Sequence, residues 1–275
     1  MSEITLSDIE RKAKELYGNN KPYITLEEWT LKQVELFNNT EGSLHLKDGY
    51  SCPYCKNKGT IAKIGSDGVE VHYYCNCIKI RKGLYEAKKS GLNAVLSSFT
   101  FRSFRTDEPW QKKIKDTAAD FCKDENANWF FIGGQPGSGK THICTAISSF
   151  YLRSGYKVRY MNWCEDSKKL KGVIGDFMLY EKEFSRFKKA SVLYIDDFLK
   201  TKKGEEPTKR DINLAFELIN HRLMNSGYIT IISSEKTISE LCAYDEATMS
   251  RIYQCTGQYK ITIGADKRKN FRIVH

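Results

Sequence analysis

The segment Gly134-Gln135-Pro136-Gly137-Ser138-Gly139-Lys140-Thr141 has the spacing G-x-x-x-x-G-K-T and stands between an apolar run, NWFFIGG, and a helical pattern, THICTAISSFYLRSG. A strand that passes through a glycine-rich turn into a helix leaves few architectures open to the chain. The glycines let the backbone wrap a chain of phosphates so that successive N–H groups point inward, and the helix start adds its positive end. In such a turn Lys140 reaches the β and γ phosphates, and the Thr141 hydroxyl ligates Mg²⁺. The whole turn, with His142 beside it, is the expected nucleotide contact.

Downstream, SVLYIDD reads as an apolar strand ending in two carboxylates. Set against the phosphate turn, Asp196 would organise the Mg²⁺ shell with Thr141, while Asp197 would polarise the attacking water. Paired aspartates at a strand end also cap helices, a role that the pairing with Lys140 argues against. A further strand, KVRYMN, separates the two motifs in sequence, and YITIISSE follows them. Helices are expected at about 108–124, from Thr141, up to about Ala190, and over INLAFELINHRLMNSG. Strands alternating with helices predict an α/β fold with a doubly wound parallel sheet. The order of motifs also predicts another strand lying between the phosphate-turn strand and SVLYIDD.

Before about Ser97 the pattern changes. Residues 1 to about 47 read as two short amphipathic helices. In the second, Thr25 and Glu28 are spaced as a capping box and Ile24 and Trp29 as a hydrophobic staple. Trp29, Val34 and Phe37 mark an apolar stripe, open either to packing or to a partner. Ser51 to Cys77 reads as a hairpin about the turn Gly65-Ser66-Asp67-Gly68, with Cys52-x₂-Cys55 at one end and Cys75-x-Cys77 at the other. Four thiolates at that spacing suit a structural Zn²⁺ with all positions filled, and His72 is available as a substitute ligand. A basic helix, IKIRKGLYEAKKSGL, follows and ends near Gly91. Cys122, Cys144, Cys164, Cys242 and Cys255 lack paired spacing and are expected in the interior. Two domains result, a helical plus zinc-hairpin domain over 1–96 and a nucleotide-binding domain over 97–275.

Lysine and arginine exceed aspartate and glutamate by ten (44 − 34), which favours a polyanionic partner. The candidates for phosphate contact are Lys168, Lys169, Lys171 and the loop LKTKKGEEPTKR, against the alternative of a solvated face. No apolar stretch approaches the ~20 residues needed to cross a bilayer, and MSEITLSDIERKAKELYG lacks the apolar core of a secretory signal. The expectation is therefore a cytoplasmic chain with no membrane partner. There, nine cysteines, an odd number, serve better as metal ligands and small interior side chains than as disulfides.

GGQPGSGKTH, VLYIDD, TIISSE and SRIY together resemble the helicase-loader ATPases of the DnaC/DnaI type and their transposition relatives of the IstB type, over about residues 97–275. Upstream, CPYCKNKG, YYCNCIKIRK and SGL resemble the zinc-bearing N-terminal part of such loaders. The resemblance implies an AAA+ core that binds ATP and Mg²⁺, with Lys140, Thr141, Asp196 and Asp197 at the nucleotide. It implies that Arg251, expected just after a short helix, is an arginine finger for a neighbouring subunit's nucleotide. It further implies self-association through the ATP interfaces, a hexameric replicative DNA helicase docked by the N-terminal domain, and single-stranded DNA as a partner. The box TFRSF, with Phe101 and Phe104, is implied to border the adenine pocket, although core packing would equally place those aromatics.

In two respects the chain departs from the family pattern. Many relatives carry asparagine as the sensor at the tip of the inserted strand, where this chain has Ser233, Ser234 and Glu235; Ser234 or Glu235 is the candidate. Only 24 residues follow Arg251, too few for the usual helical lid, so the lid and its arginine are expected to be missing. The activity implied is ATP-dependent loading of a hexameric replicative helicase onto single-stranded DNA. Two other readings share these motifs. One is a transposase-helper ATPase; the other is an adaptor that binds ATP without turnover, against which the Asp196–Asp197 pair speaks.

Overall fold

The computed structural model describes residues 11, 14–15, 24–89, 99–202 and 205–273, with only the backbone for 86–89. The first expected N-terminal helix lies mostly outside these residues, as do the helix end near Gly91 and the domain boundary near Ser97. Two compact units are formed, Met1–Ile78 and Lys79–His275.

In the first unit, α1 (Leu26–Asn39) starts at Thr25, whose side chain accepts from the Glu28 amide while Glu28 reaches back to the Thr25 amide. The reciprocal cap satisfies two orphan donors. The expected staple does not form a covered pair, because Ile24 and Trp29 are both exposed. The buried face of α1 is instead Thr30 and Val34, with Phe37 half-buried. Helical spacing alone placed Trp29 on that face; one residue of rotation decides it. A short helix, α2 (Leu44–Asp48), follows, and then an antiparallel hairpin of β1 (Thr60–Ile64) and β2 (Glu70–Tyr74). Asn38 joins α1 to the hairpin by donating to the Ala62 carbonyl at 2.9 Å and accepting from the Ala62 amide at 3.0 Å.

The second unit begins with α3 (Cys77–Lys89), most of which belongs to it, and α4 (Pro109–Lys123). Then come β3 (Trp129–Gly134), α5 (Lys140–Arg153), β4 (Val158–Asn162), α6 (Trp163–Gly172), α7 (Phe177–Lys188) and β5 (Val192–Asp196). The chain continues through α8 (Lys209–Leu223), β6 (Ile229–Ser234), α9 (Ile238–Cys242), α10 (Glu246–Thr256) and β7 (Lys260–Ile263). The stretch expected to be helical up to Ala190 is two helices, and β7 was not foreseen.

All five strands pair in parallel in the order β4-β5-β6-β3-β7. The inserted strand is thus β6, between the phosphate-turn strand and the acidic strand. Alternate residues feed opposite layers: Phe130, Ile132, Tyr194 and Ile231 pack with Ile114, Phe121 and Ile147. Trp129, Phe131, Leu193, Ile195 and Ile232 pack with Phe184, Leu218, Leu241 and Ile252. A sheet covered on both faces is what continuous apolar runs such as VLYI require. Among the described residues no helix is long and apolar enough to cross a membrane.

At the starts of β5 and β6, away from the phosphate turn, Arg222 is fully buried. Its guanidinium donates to the carbonyls of Phe187, Lys188, Ala190 and Ile229 and to the Thr230 hydroxyl, at 2.7–3.2 Å. Burial pushes its pKa down to about 9, with the Tyr228 phenol opposing. Replacing it by an apolar side chain strands these acceptors, so Arg222→Met is expected to lose about 2–3 kcal/mol of stability, measured by urea unfolding.

Candidate functional site

Helix α5 opens without a side-chain cap: its N-cap is Gly139, in left-handed backbone at φ +89°, and no acidic residue lies in its first turn. By contrast Thr208, Thr237 and Asp245 cap α8, α9 and α10. The first amides of α5 are therefore left to an external acceptor, with the helix dipole behind them. Two glycines are dictated by contact as well as by φ. A Cβ on Gly134 (φ +111°) would run into the Ile263 carbonyl, and one on Gly137 (φ +74°) into the Asn270 side chain.

Lys140 lies along the turn, its Nζ donating to the carbonyls of Gly134 at 2.7 Å and Gln135 at 2.8 Å. Burial pulls its pKa below the ordinary value, and the charges of Glu235 and Asp197 oppose that pull. The chain after β7 straps across the same turn. Asp266 N donates to Gln135 Oε1 at 3.0 Å, and Phe271 N donates to the Gly137 carbonyl at 3.1 Å.

Parallel pairing brings the end of β5 beside this turn. Asp196 is buried, and Thr141 Oγ1 donates to its Oδ1 at 3.3 Å. Tyr194 donates to Oδ1 at 2.7 Å, Tyr160 to Oδ2 at 3.0 Å, and Ser233 also to Oδ1. Both phenols keep their protons well above the ordinary range, because burial and then the Asp196 charge disfavour their anions. One carboxylate thus collects four hydroxyl donors. The Thr141 hydroxyl and the Asp196 carboxylate converge as hard oxygen donors, the chemistry Mg²⁺ takes.

Asp197 turns the other way. At φ +55° it is in left-handed backbone, as is Leu199 at φ +56°, a conformation costly for residues with a Cβ. The turn sends Phe198 and Leu199 into the core and leaves Asp197 and Lys200 in the cleft. Lys200 Nζ bridges Asp197 Oδ2 and Glu235 Oε1, each at 2.9 Å. Burial disfavours the Lys200 charge, but the hydrogen bonds to Glu235 and Asp197 outweigh it and raise the pKa.

These groups share a cleft of about 310 Å³ that runs from Pro136–His142 past Asp197, Lys200 and Glu235 to Phe104, Phe271 and Arg272. At its apolar end His142 stacks on Phe99 at 4.7 Å and meets the edge of Phe104 at 5.2 Å, while its Nε2–H donates to the Thr100 carbonyl at 2.9 Å. Burial lowers the His142 pKa, so the ring stays neutral. Flat apolar surface at one end and charged groups at the other suit a purine nucleotide lying along the cleft.

The chain belongs to the family described as IstB-like ATP binding protein. That family matches residues 70–251. The chain is 34% identical over 235 residues to the phage-like element PBSX protein XkdC of Bacillus subtilis (strain 168), covering 82% of this chain and 86% of that one. It is 23% identical over 86 residues to the replicative helicase loader DnaC of Buchnera aphidicola subsp. Schizaphis graminum, covering 30% of this chain and 35% of that one. In fold it is similar to a crystal structure of a DNA replication initiation factor, at a TM-score of 0.50 and 20% identity over 64% of this chain and 53% of that one. The parallel five-stranded sheet with its flanking helices is an AAA+ fold.

Within this IstB-like chain the expected residues are not all brought together. The hydroxyl of Ser234 is buried and donates to the Phe198 carbonyl at 2.9 Å, so from the end of β6 it is Glu235 that lines the cleft. Arg251 lies inside α10 and not after a helix; it is exposed, bonded to Asn220, and not among the cleft-lining residues. Lys171 is paired with Asp211 at 2.5 Å and Lys169 with Asp166 at 3.3 Å, while Lys168 is exposed. Lys200, read from the sequence as part of a basic loop, sits in the nucleotide cleft. Phe101 packs partly buried against the core, whereas Phe104 lines the cleft. Of the unpaired cysteines, Cys144 is buried, Cys122, Cys164 and Cys242 are half-buried, and Cys255 is exposed, on the outer side of α10 and not in the interior. Tyr160, Tyr194 and Arg272 went unforeseen; of these, Tyr194 shares a strand face with Asp196 and was detectable by period two.

In the first unit the four thiols of Cys52, Cys55, Cys75 and Cys77 are buried and lie within 4.8 Å of one another. The Cys52–Cys75 and Cys55–Cys77 sulfurs are 3.8 and 3.5 Å apart, close to the edge of about 3.8 Å that tetrahedral ligation at a metal–sulfur length of 2.3 Å demands. Lys56 and Asn57, at φ +45° and +67°, make the knuckle from which the Gly59 amide donates to Cys55 Sγ at 3.3 Å. Burial works against the Cys55 thiolate, but that amide and the neighbouring thiols bring its pKa down to about 7. The cluster could hold a metal ion. His72 is outside it, bonded to Glu70 at 2.9 Å and packed on Phe37.

The two serines of β6 can be told apart by mutation. Ser234→Ala is expected to lose about 1 kcal/mol of stability and leave affinity for MgATP unchanged. Ser233→Ala removes one of the three hydroxyls that hold Asp196 Oδ1 in place and is expected to weaken Mg²⁺-dependent nucleotide binding several-fold, as read by titration of a fluorescent ATP analogue with and without Mg²⁺.

Proposed function

We propose that this protein hydrolyses ATP and uses the cycle to load a hexameric replicative DNA helicase onto single-stranded DNA. The observation that carries the reading is the meeting of the uncapped α5 turn with the ends of β5 and β6, where Lys140, Thr141 and Asp197 line one cleft and the buried Asp196 meets it through the Thr141 hydroxyl. There Lys140 and the turn amides would hold the phosphates, while Thr141 and Asp196 would hold Mg²⁺. Asp197 would orient the attacking water. The ion would supply charge neutralisation on the phosphates, and the protein supplies position.

Arg251 is exposed on α10 and outside its own cleft, which supports its acting on the nucleotide of a neighbouring subunit. ATP then favours assembly, and hydrolysis removes the contact and releases the cargo. The partial match to a DnaC helicase loader supports the choice of cargo. The cysteine cluster supports a docking module held by Zn²⁺, since a unit with so little core needs a metal to stay folded. Lys168 and the basic loop before α8 are the groups offered to DNA phosphates. The IstB-like family match favours a second reading, assistance to a transposase, in which the same cleft serves a different partner.

Three outcomes test the proposal. Arg251→Ala is expected to abolish stimulated hydrolysis while nucleotide binding persists, measured by steady-state phosphate release; unchanged turnover overturns the finger assignment. The purified chain is expected to carry one zinc per molecule by atomic absorption, and chelation is expected to collapse the circular dichroism of residues 48–90. Co-purification with hexameric helicases is expected only with ATP present, and capture of a transposase in their place selects the second reading.

A further inference from the structure

Two carboxylates, Asp197 and Glu235, line the cleft, and a third, Asp196, lies buried beside it. Asp196 is buried under four hydroxyls. Asp197 and Glu235 are each about one-third exposed to the cleft and share a single cation, Lys200 Nζ, at 2.9 Å from each. Glu235 lines the same cleft as Lys140 and the phosphate turn, so its carboxylate borders the space in which a terminal phosphate would lie.

An ionised carboxylate only accepts hydrogen bonds, and it repels a phosphate. Standing alone at the end of β6, Glu235 would oppose the ligand that the rest of the cleft is shaped to hold. An ammonium has three donors, of which two are committed to Asp197 and Glu235. The third is directed to neither carboxylate. The pair Lys200–Glu235 is neutral in sum and ends in a donor, which is the chemistry of a side-chain amide assembled from two residues.

Resting on the nucleotide reading above, we propose that Lys200 contacts the terminal phosphate of the bound triphosphate and that Glu235 is the positioning residue that holds it there. Lys200 reaches this place only because Asp197 and Leu199 take left-handed backbone, which turns the chain so that position 200 returns to the cleft. The recognised feature is the γ-phosphate, so the pair separates a triphosphate from a diphosphate. Asp197 gains a fixed partner in the same step, which orients it beside the phosphate.

The experiment measures binding of MgADP and of a non-hydrolysable Mg-ATP analogue to the full chain, as wild type, Lys200→Met, Glu235→Asn and the double variant. In Lys200→Met, affinity for the analogue is expected to fall about tenfold or more while affinity for ADP stays within about twofold. The double variant is expected to regain most of the loss, because asparagine removes the unpaired charge and supplies an amide. Glu235→Ala, measured beside them, leaves Lys200 with one of its two carboxylate partners and supplies no amide; it is expected to weaken analogue binding several-fold with ADP binding within about twofold, and analogue binding equal to wild type there overturns the positioning role. Retained ADP binding shows that each variant is folded. Equal loss of both nucleotides in Lys200→Met, unchanged or tighter analogue binding, or a double variant no better than Lys200→Met overturns the assignment. Because binding is the readout, a wild type that discriminates the two nucleotides but shows no turnover sinks the hydrolysis reading and leaves this one standing.

Discussion

A carboxylate buried at the edge of a parallel sheet has to find donors, and the search for them explains most of the architecture around Asp196. Its four hydroxyls come from β4, β5, β6 and the start of α5. No contiguous stretch of chain could supply them. They converge because β6 lies between β3 and β5 and because all three strands run the same way, so that their carboxyl ends share one edge. Strand order is therefore a statement about polar satisfaction as well as topology: it gathers the polar tips of separate strands round one buried carboxylate.

How much of this was legible depends on the range of the interaction. The phosphate turn could be read because its chemistry is local: glycine at fixed offsets, a lysine, a threonine and a helix start. The position of β6 could be inferred because one extra strand lay between two recognisable motifs. Capping at Thr25 and Glu28 was legible for the same reason, since both partners lie within one turn. Lys200 was not legible. Its neighbours in sequence are lysines and glutamates typical of a solvated loop, and only the left-handed backbone at Asp197 and Leu199 turns it inward. Ser233 and Ser234 are adjacent on one strand and so face opposite ways, and nothing in a six-residue run says which face meets Asp196. Trp29 illustrates the limit of periodicity, because a stripe fixes a face only to within one residue of rotation.

The cysteine module follows a different logic from the larger unit. It has two short strands, one well-capped helix and few large buried side chains among its described residues. Its order comes from knuckle geometry, with Lys56 and Asn57 in left-handed backbone and an amide aimed at a sulfur. Four sulfurs at near-tetrahedral separations concentrate what organisation the unit has at a single point. The larger unit instead spreads its stability over two apolar layers on either side of the sheet.

The guanidinium of Arg222 ties the chain ahead of β5 to the start of β6, at the opposite edge of the sheet from the cleft. Five neutral acceptors hold it as a coordination shell holds an ion. With that edge riveted, β5 and β6 cannot slide past one another as a whole, and any strain imposed by events at the phosphate end must appear as local bending of the strand tips and their loops. The sheet is thus fastened at the edge away from the cleft by one guanidinium and at the cleft edge by one carboxylate, and the loop carrying Asp197 and Lys200 lies just beyond the second fastening.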